Sequence, residues 1–190
     1  MSDPVPLILG FDTSGPFCAA ALIRGDTTLI TMAEGMKRGQ AERLMPMLEE
    51  CLAAGHVTWR DVTALGVSVG PGNFTGIRVA VAAARGLALG LGIPAVGVSG
   101  FDARQAIAGH RRVGVAAPQD QVYVPFPQPR LIPMSAEQDV VTDFAPGVLA
   151  KSIAQIALNR YARTSDAPAP FYLRPANAAP SRDLPPRMLD

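Results

Sequence analysis

The sequence predicts an α/β fold with a mixed sheet, in the element order βββαβαβα. Three observations support this prediction. Apolar runs near the N-terminus are joined by a Gly-Asp turn, which is typical of antiparallel strands. Apolar residues then recur at helical spacing in 39–55. Beyond that helix, buried strands alternate with helices, which is the pattern of a layered α/β protein.

Each element of the first half has its own signal. Gly25 and Asp26 separate the second strand from the third. The first helix carries apolar residues on one side and Glu49 and Glu50 on the other, and Pro46 should kink it or mark its true first turn. In chain order we predict strands 7–12, 17–25 and 27–34, helix 39–55, strand 61–70, helix 75–91, strand 94–99 and helix 101–109.

The second half is less regular because prolines interrupt its apolar runs. We predict short strands at 112–118, 120–126 and 130–134, an amphipathic helix at 146–162, and an extended or disordered tail in which "FYLRP" (171–175) could dock. The predicted domain organisation is an N-terminal lobe at 1–109, a reduced second lobe at 110–163 and a Pro-rich tail at 164–190.

Composition excludes several classes of protein. The formal net charge is +1 and no basic run is present, so direct, strong nucleic-acid binding has no electrostatic support. The apolar stretch 76–98 is interrupted by Arg78, Arg85 and Pro94, which argues against a membrane span. Two cysteines make no disulfide framework, and the N-terminus lacks the basic start of a signal peptide. We therefore expect a cytoplasmic protein with reduced thiols.

The glycine loop "GPGNFTG" (70–76) lies between a strand and a helix, where phosphate sites are often built. It lacks the Gly-Lys-Ser/Thr ending of a Walker A loop and is one residue too long for the dinucleotide fingerprint. Thr75 can cap the helix, Asn73 can take a turn conformation, and Arg78 lies in the first turns. Both interpretations, an anion site and a simple turn, stay open. The candidate anion or nucleotide contacts are Asp12, Thr13, Ser14, Gly72, Asn73, Thr75 and Arg78.

Small residues recur every four positions in helix 75–91, which lets another helix approach closely. One interpretation buries this face in the chain's own core. The other joins it to the methionine-rich helix 39–55 as a docking face for a partner. The candidate partner-binding residues are Gln40, Leu44, Met45, Met47, Leu48, Cys51, Ile77, Ala80, Val81, Ala84 and Ala88. On the second interpretation, Ala84→Glu should abolish partner binding and leave the fold intact.

Catalytic patterns are scarce in the sequence. His56 and His110 belong to no metal-binding pair, so no metal site and no catalytic residue is predicted. The cluster Asp12-Thr13-Ser14 could orient a metal-bound water or contact phosphate. An Asx-turn that closes a hairpin explains the same cluster and is the simpler interpretation.

Four segments together resemble the bacterial TsaB (YeaZ) family: "ILGFDTSGPFCAAAL", "GQAERLMPMLEECL", "ALGVSVGPGNFTGIRVAVAAARGLA" and "PAVGVSGFDA". The resemblance covers about residues 7–108, and "PFYLRP" in the tail resembles the family's closing element. It implies an actin/Hsp70-like (ASKHA, ribonuclease H-like) fold with a shortened second lobe.

The resemblance also implies a function. The family takes part in making N6-threonylcarbamoyladenosine in tRNAs that read ANN codons, as a non-catalytic subunit that dimerises and binds TsaD through the helices matching 39–55 and 75–91. TsaE, an ATPase, joins this complex, and tRNA is reached only through it. The chain needs no cofactor of its own, and ATP or ADP would sit at the boundary with TsaD.

Two departures from the family pattern affect this expectation. Gln40 stands where many relatives have a histidine. The stretch "AAPQDQVY" (116–123) keeps Gln121, Val122 and Tyr123 but lacks the acid, Arg and Gly of the family's D-A-R-x-G element.

An alternative is an enzyme acting alone, a small ASKHA-type ATPase or a glycoprotease-clan peptidase that uses Asp12, Thr13 and Arg78. A third hypothesis is a regulatory, sugar-kinase-like fold that binds a small molecule.

Overall fold

A five-stranded mixed sheet is the centre of the molecule in the computed structural model, which describes residues 4–137 and 139–173. The strand order is β3-β2-β1-β4-β5. β1 pairs antiparallel with β2 and parallel with β4, so the predicted meander and the predicted mixed sheet are both confirmed. The strands are β1 (Leu7–Asp12), β2 (Phe17–Arg24), β3 (Thr27–Gly35), β4 (Ala64–Ser68) and β5 (Ala95–Val98).

Helices cover both faces of this sheet. On one face, α1 (Gln40–Ala54) and α2 (Phe74–Leu91) pack on a core that includes Phe11, Leu22 and Leu65. On the other face, α3 (Gly100–Ala108) and α4 (Pro146–Arg160) pack on a second core. The element order βββαβαβα is therefore confirmed through α3, and so is the predicted mixed α/β sheet.

α4 occupies a different place from the one predicted. The domain boundaries predicted from the sequence placed this helix in the second lobe, within 110–163. The structure packs it against β1, β2 and β4, and Ile153 and Ala154 are buried there. Gly10 and Gly66 allow this close approach, because a Cβ at either position would collide with α4. α4 is therefore part of the first lobe, and its apolar side is explained by the main sheet.

The second lobe is a separate three-stranded antiparallel sheet made of β6 (Val115–Ala117), β7 (Gln121–Val124) and β8 (Arg130–Pro133). All three strands are shorter than predicted. Residues 171–173 connect this sheet to the first lobe. Phe171 N donates to Val69 O at 2.7 Å, and its ring lies 6.4 Å from that of Phe101. The predicted docking of the tail segment is thus confirmed for these three residues, and 174–190 lie outside the described residues.

Two features of the helices bear on predictions made from the sequence. α1 begins at Gln40, so Pro46 lies within the helix and does not mark its first turn. α2 is apolar enough in length and composition to cross a membrane, with a mean hydropathy of 1.4, and 28% of its residues are buried. Its inner side belongs to the core of the sheet, where Ile77, Ala80 and Ala84 are buried.

Candidate functional site: a cleft beside the glycine loop

The glycine loop is joined directly to the turn that follows β1. Thr13 Oγ1 donates to Gly76 O at 2.6 Å, and Asn73 N donates to Ser14 O at 2.7 Å. The turn itself is an Asx-turn, because Ser14 N donates to Asp12 Oδ1 at 2.7 Å. The simpler interpretation of Asp12-Thr13-Ser14 is therefore confirmed, and these three residues are buried with their backbone held by the loop.

Glycine is required where this loop meets the turn. A Cβ at Gly76 would overlap Thr13 O, and a Cβ at Gly72 would overlap Ser14 O. Gly70 has a φ of +103°, a backbone conformation that favours glycine, and its carbonyl accepts a hydrogen bond from Gly100 N at 2.7 Å. The loop turns the chain and joins β4 to α2 and α3.

Asn73, and not Thr75, caps α2. Its Oδ1 accepts a hydrogen bond from Gly76 N at 2.9 Å, in the manner of an N-cap residue. Thr75 is exposed in the first turn. The prediction of a Thr75 cap is wrong because the helix begins one residue earlier than expected, at Phe74, and Thr75 therefore lies inside it.

A cleft of about 830 Å³ opens beside this loop. Among the described residues that line it, Lys37 and Arg78 carry positive charge and none carries a carboxylate. Its volume lies within the range of small-molecule sites in proteins. The cleft is lined by Ser14, Gly15, Pro16, Lys37, Gln40, Pro71, Gly72, Asn73, Phe74, Ile77, Arg78, Ala116, Ala117, Pro118, Tyr123, Phe171, Tyr172 and Leu173.

The cleft brings together some of the predicted anion contacts and separates others. Ser14, Gly72, Asn73 and Arg78 line it, whereas Asp12, Thr13 and Thr75 do not. Gln40 also lines it, although the sequence suggested this residue for partner binding. The cleft therefore has the groups to attract an anion, and none of its described lining residues is an acid that could hold a metal.

Arg78 belongs to an aromatic cluster at the mouth of the cleft. Its guanidinium carbon lies 3.9 Å from the ring centroid of Phe74, and its Nε donates to Tyr172 Oη at 3.1 Å. The rings of Phe74 and Tyr172 are 4.8 Å apart. Sequence reasoning missed Phe74 and Tyr172; the family's closing element around Tyr172 was the only signal that pointed to this contact.

Arg104 is a buried cation that sequence reasoning also missed. It is 6% exposed, and its Nη1 donates to Gly100 O at 3.0 Å. Burial lowers the pKa of Arg104, and the carboxylate of Asp12 acts in the opposite direction. Asp12 thus stabilises a turn, and its charge favours the protonated form of a buried arginine. An arginine in a short amphipathic helix has no sequence pattern that reveals such burial.

Most of the predicted partner-binding residues face inward. The only ones with partial exposure are Gln40, Met45 and Ala88. The other eight side chains are 0–4% exposed and form the core between α1, α2 and the sheet, so they offer no surface to a partner: Leu44, Met47, Leu48, Cys51, Ile77, Ala80, Val81 and Ala84. The core interpretation of this face is correct.

The outer side of α2 is the surface that the sequence did not single out. Ala82, Gly86 and Gly90 are exposed, and Leu89 is 87% exposed. These residues are three or four positions apart and so lie on one face. Nothing lies within 4 Å of a Cβ built on Gly86 or Gly90. The result is an outer face with small side chains and the exposed Leu89, and the exposed Arg85 lies on the same face.

The cysteines and histidines form no reactive cluster in the described part of the chain. Burial raises the pKa of both Cys18 and Cys51 to about 11; at Cys18 the charge of Arg43 acts in the opposite direction, and Glu34 and Asp12 add small increases. Both thiols are fully buried. Within residues 4–137 and 139–173, no group of three or more His, Cys, Asp or Glu side chains could hold a metal ion.

Sequence comparisons connect this chain to proteins of tRNA modification. A family model described as "TsaD: tRNA N6-adenosine threonylcarbamoyltransferase" matches residues 32–121. The "tRNA threonylcarbamoyladenosine biosynthesis protein TsaB" of Escherichia coli K12 is 38% identical over 92 residues, 48% of this chain and 39% of that protein. The TsaB of Haemophilus influenzae is 39% identical over 97 residues, 50% and 40% of the two chains. The match thus spans less than half the length of these curated relatives.

Structural comparisons extend the likeness to most of the chain. A Pseudomonas aeruginosa protein described as uncharacterized, with similarity to peptidase YEAZ, gives a TM-score of 0.71 at 22% identity, over 89% of this chain and 100% of that one. YeaZ from Pseudomonas aeruginosa gives 0.69 at 25% identity, over 88% and 100%. The shared fold and the sequence relatives agree, and together they support membership of the TsaB (YeaZ) family.

Proposed function

We propose that this chain is a scaffold subunit that binds TsaD in the complex making N6-threonylcarbamoyladenosine in tRNAs that read ANN codons. Family membership supports involvement in the biosynthesis of this modified nucleoside. The observation that carries the binding role is the outer face of α2, which the chain's own core leaves uncovered and where small side chains and Leu89 surround Arg85. A face of this kind on a charge-poor protein is typical of an interaction site.

The proposed docking face consists of Ala82, Gly86, Leu89 and Gly90 on α2. Its small side chains let a partner helix approach closely, and Leu89 supplies an apolar anchor. Partly exposed Met45 on α1 and Ala88 on α2 would contribute at its margin. The same face is available to a second copy of the chain, so a homodimer and a heterodimer with TsaD would compete for it. TsaE would join through TsaD.

The cleft is the proposed position for a nucleotide at the boundary with TsaD. Arg78 and Lys37 supply positive charge for phosphate, and the rings of Phe74 and Tyr172 supply a surface on which a base can stack. Arg78 is already engaged by Tyr172, so the nucleotide would have to replace that contact. ADP or ATP would bind here without being hydrolysed by this chain, and tRNA would be reached within the complex.

Non-catalytic status is part of this proposal. Neither thiol is a nucleophile near neutral pH, because burial keeps both protonated and out of reach. Asp12 and Thr13, which the alternative ATPase or peptidase would use, are held in hydrogen bonds to the backbone and do not line the cleft. A cytoplasmic location follows from the proposed partners.

The test is reconstitution of tRNA modification with purified TsaD, TsaE and the threonylcarbamoyl-donating system of the same organism. We expect N6-threonylcarbamoyladenosine, measured by mass spectrometry of digested tRNA, to form only when this chain is present. Formation at an equal rate without it would contradict the proposal. ATP turnover by the isolated chain, lost in Asp12→Asn, would instead support the ATPase alternative.

A further inference from the structure

A second hollow, of about 280 Å³, lies between the end of α3 and the hairpin of β7 and β8. Three consecutive basic residues line one side of it, and the exposed ring of Phe126 lies on the other. None of the described residues that line it carries a carboxylate. The lining residues are Gln105, Gly109, His110, Arg111, Arg112, Val113, Val124, Pro125, Phe126 and Val140.

The backbone on the basic side is fixed by hydrogen bonds. Gln105 Nε2 donates to Arg111 O at 3.1 Å, and Val141 N donates to Arg112 O at 2.9 Å. The Arg112 side chain is 60% exposed while it pairs with Glu137 at 2.9 Å, and the described part of the chain has no ion pair for Arg111. Arg111 is therefore available to an anion, and its position on the surface is set by the surrounding backbone.

Phe126 lies in the connection 125–129 of the β7–β8 hairpin, which Val124 and Arg130 close as paired residues. The ring is 69% exposed and belongs to none of the core clusters of the described residues. Pro125, Pro127 and Pro129 flank it, and prolines restrict the conformations of such a turn. An aromatic ring displayed in this way contributes little to folding.

We propose that this hollow binds one nucleotide of a single-stranded RNA segment, with the base stacked on Phe126 and a phosphate on Arg111. Aromatic rings flanked by cations are the usual means by which proteins hold unpaired bases. The groove on the other side of Arg111 and Arg112 contains Asp139 and Asp143, whose charges repel phosphate. The RNA therefore approaches from the side of Phe126. An acidic peptide would use the cations but would not need the exposed ring.

The RNA in question is a loop of the substrate tRNA, and in this respect the inference rests on the proposed function. It extends that function, since the chain would then contact tRNA directly and not only through its partners. The contact is local and weak, because the net charge of +1 provides no wider electrostatic attraction.

The experiment measures fluorescence anisotropy of a labelled tRNA anticodon stem-loop titrated with the full chain, alone and in complex with TsaD, at several salt concentrations. We expect Phe126→Ala to weaken RNA binding about tenfold, as for the loss of one base–aromatic stack. Phe126→Tyr, which keeps an aromatic ring, should bind RNA like the wild type. Arg111→Ala should lower the salt dependence by about one phosphate contact. Arg24→Ala, at another exposed arginine, is the matched control and should change nothing.

Equal binding by the wild type, Phe126→Ala and Arg111→Ala would overturn the inference, and so would an absence of RNA binding both alone and in the complex. If Phe126→Ala impairs co-elution with TsaD but not RNA binding, the hollow is a protein contact and the inference is also wrong. Because Phe126 is exposed, neither substitution should affect folding. A negative result in this RNA-binding experiment would not contradict the proposed docking face on α2, so the two proposals are tested separately.

Discussion

Gly76 and Gly86 lie in the same helix but have opposite surroundings. A Cβ at Gly76 would overlap Thr13 O, whereas nothing lies within 4 Å of a Cβ at Gly86. We expect Gly76→Ala to lower the free energy of unfolding by about 3 kcal/mol, since the turn after β1 must move. Gly86→Ala should raise it by about 0.5–1 kcal/mol, because alanine favours the helix. Urea denaturation of both variants measures the difference, and a similar effect from both would refute the close approach at Thr13.

Asn73 and Thr75 offer a second matched pair of residues. Asn73→Ala removes the acceptor for Gly76 N and should cost about 1 kcal/mol of stability. Thr75→Ala removes an exposed hydroxyl and should change stability by less than about 0.5 kcal/mol. Thermal unfolding of the two variants distinguishes them. The reverse ranking would mean that the helix begins at the later residue, as the sequence alone suggested.

The buried thiols predict how stability depends on alkaline pH. Burial raises the pKa of Cys18 and Cys51 to about 11, above the value of about 8.5 in an unfolded chain. The unfolded chain therefore loses these protons first as the pH rises, and the free energy of unfolding should fall between about pH 9 and pH 11. Denaturation at several pH values tests this. A double Cys18→Ala, Cys51→Ala variant should show a shallower fall; an unchanged slope would assign the effect to other groups.

At the scale of elements, the apolar pattern predicted α1, α2 and the strands of the main sheet well, because α1 and α2 bury one side at regular spacing and β1, β2 and β4 are short, continuous apolar runs. The same pattern could not show which side of α2 packs against the sheet. The repeat of Ala80, Ala84 and Ala88 is a core repeat, whereas the outer face has its own small residues at Ala82 and Gly86. A helix with small or apolar residues on most of its sides leaves both assignments open until its position on the sheet is known.

This distinction reverses the expectation for Ala84→Glu. Ala84 is fully buried, so a carboxylate there would lose its water without gaining a partner. We expect a loss of at least about 3 kcal/mol in the free energy of unfolding, seen by circular dichroism during urea denaturation. Ala82→Glu, two residues earlier on the exposed side, should leave stability within about 0.5 kcal/mol of the wild type. Equal stability of the two variants would mean that α2 is rotated on the sheet.

At the scale of the whole molecule, the sequence predicted the order of elements but not the layers. α4 lies on the main sheet although more than thirty residues of the second lobe separate it from α3. Nothing in its pattern tells which sheet it covers. The cleft was equally hidden, because it combines the turn after β1, the starts of α1 and α2, the second lobe and residues 171–173. Only Ser14, Gly72, Asn73 and Arg78 were predicted together, since loop chemistry marks them locally.

The central claim is that the outer face of α2 binds TsaD. The most direct measurement is size-exclusion chromatography of this chain with TsaD from the same organism, with and without ATP and Mg²⁺, for the wild type and Ala82→Glu. The account predicts that the wild type co-elutes with TsaD and that Ala82→Glu, although folded, elutes separately. Separate elution of the wild type under every nucleotide condition would contradict it. Co-elution of both the wild type and Ala82→Glu with TsaD would contradict it as well.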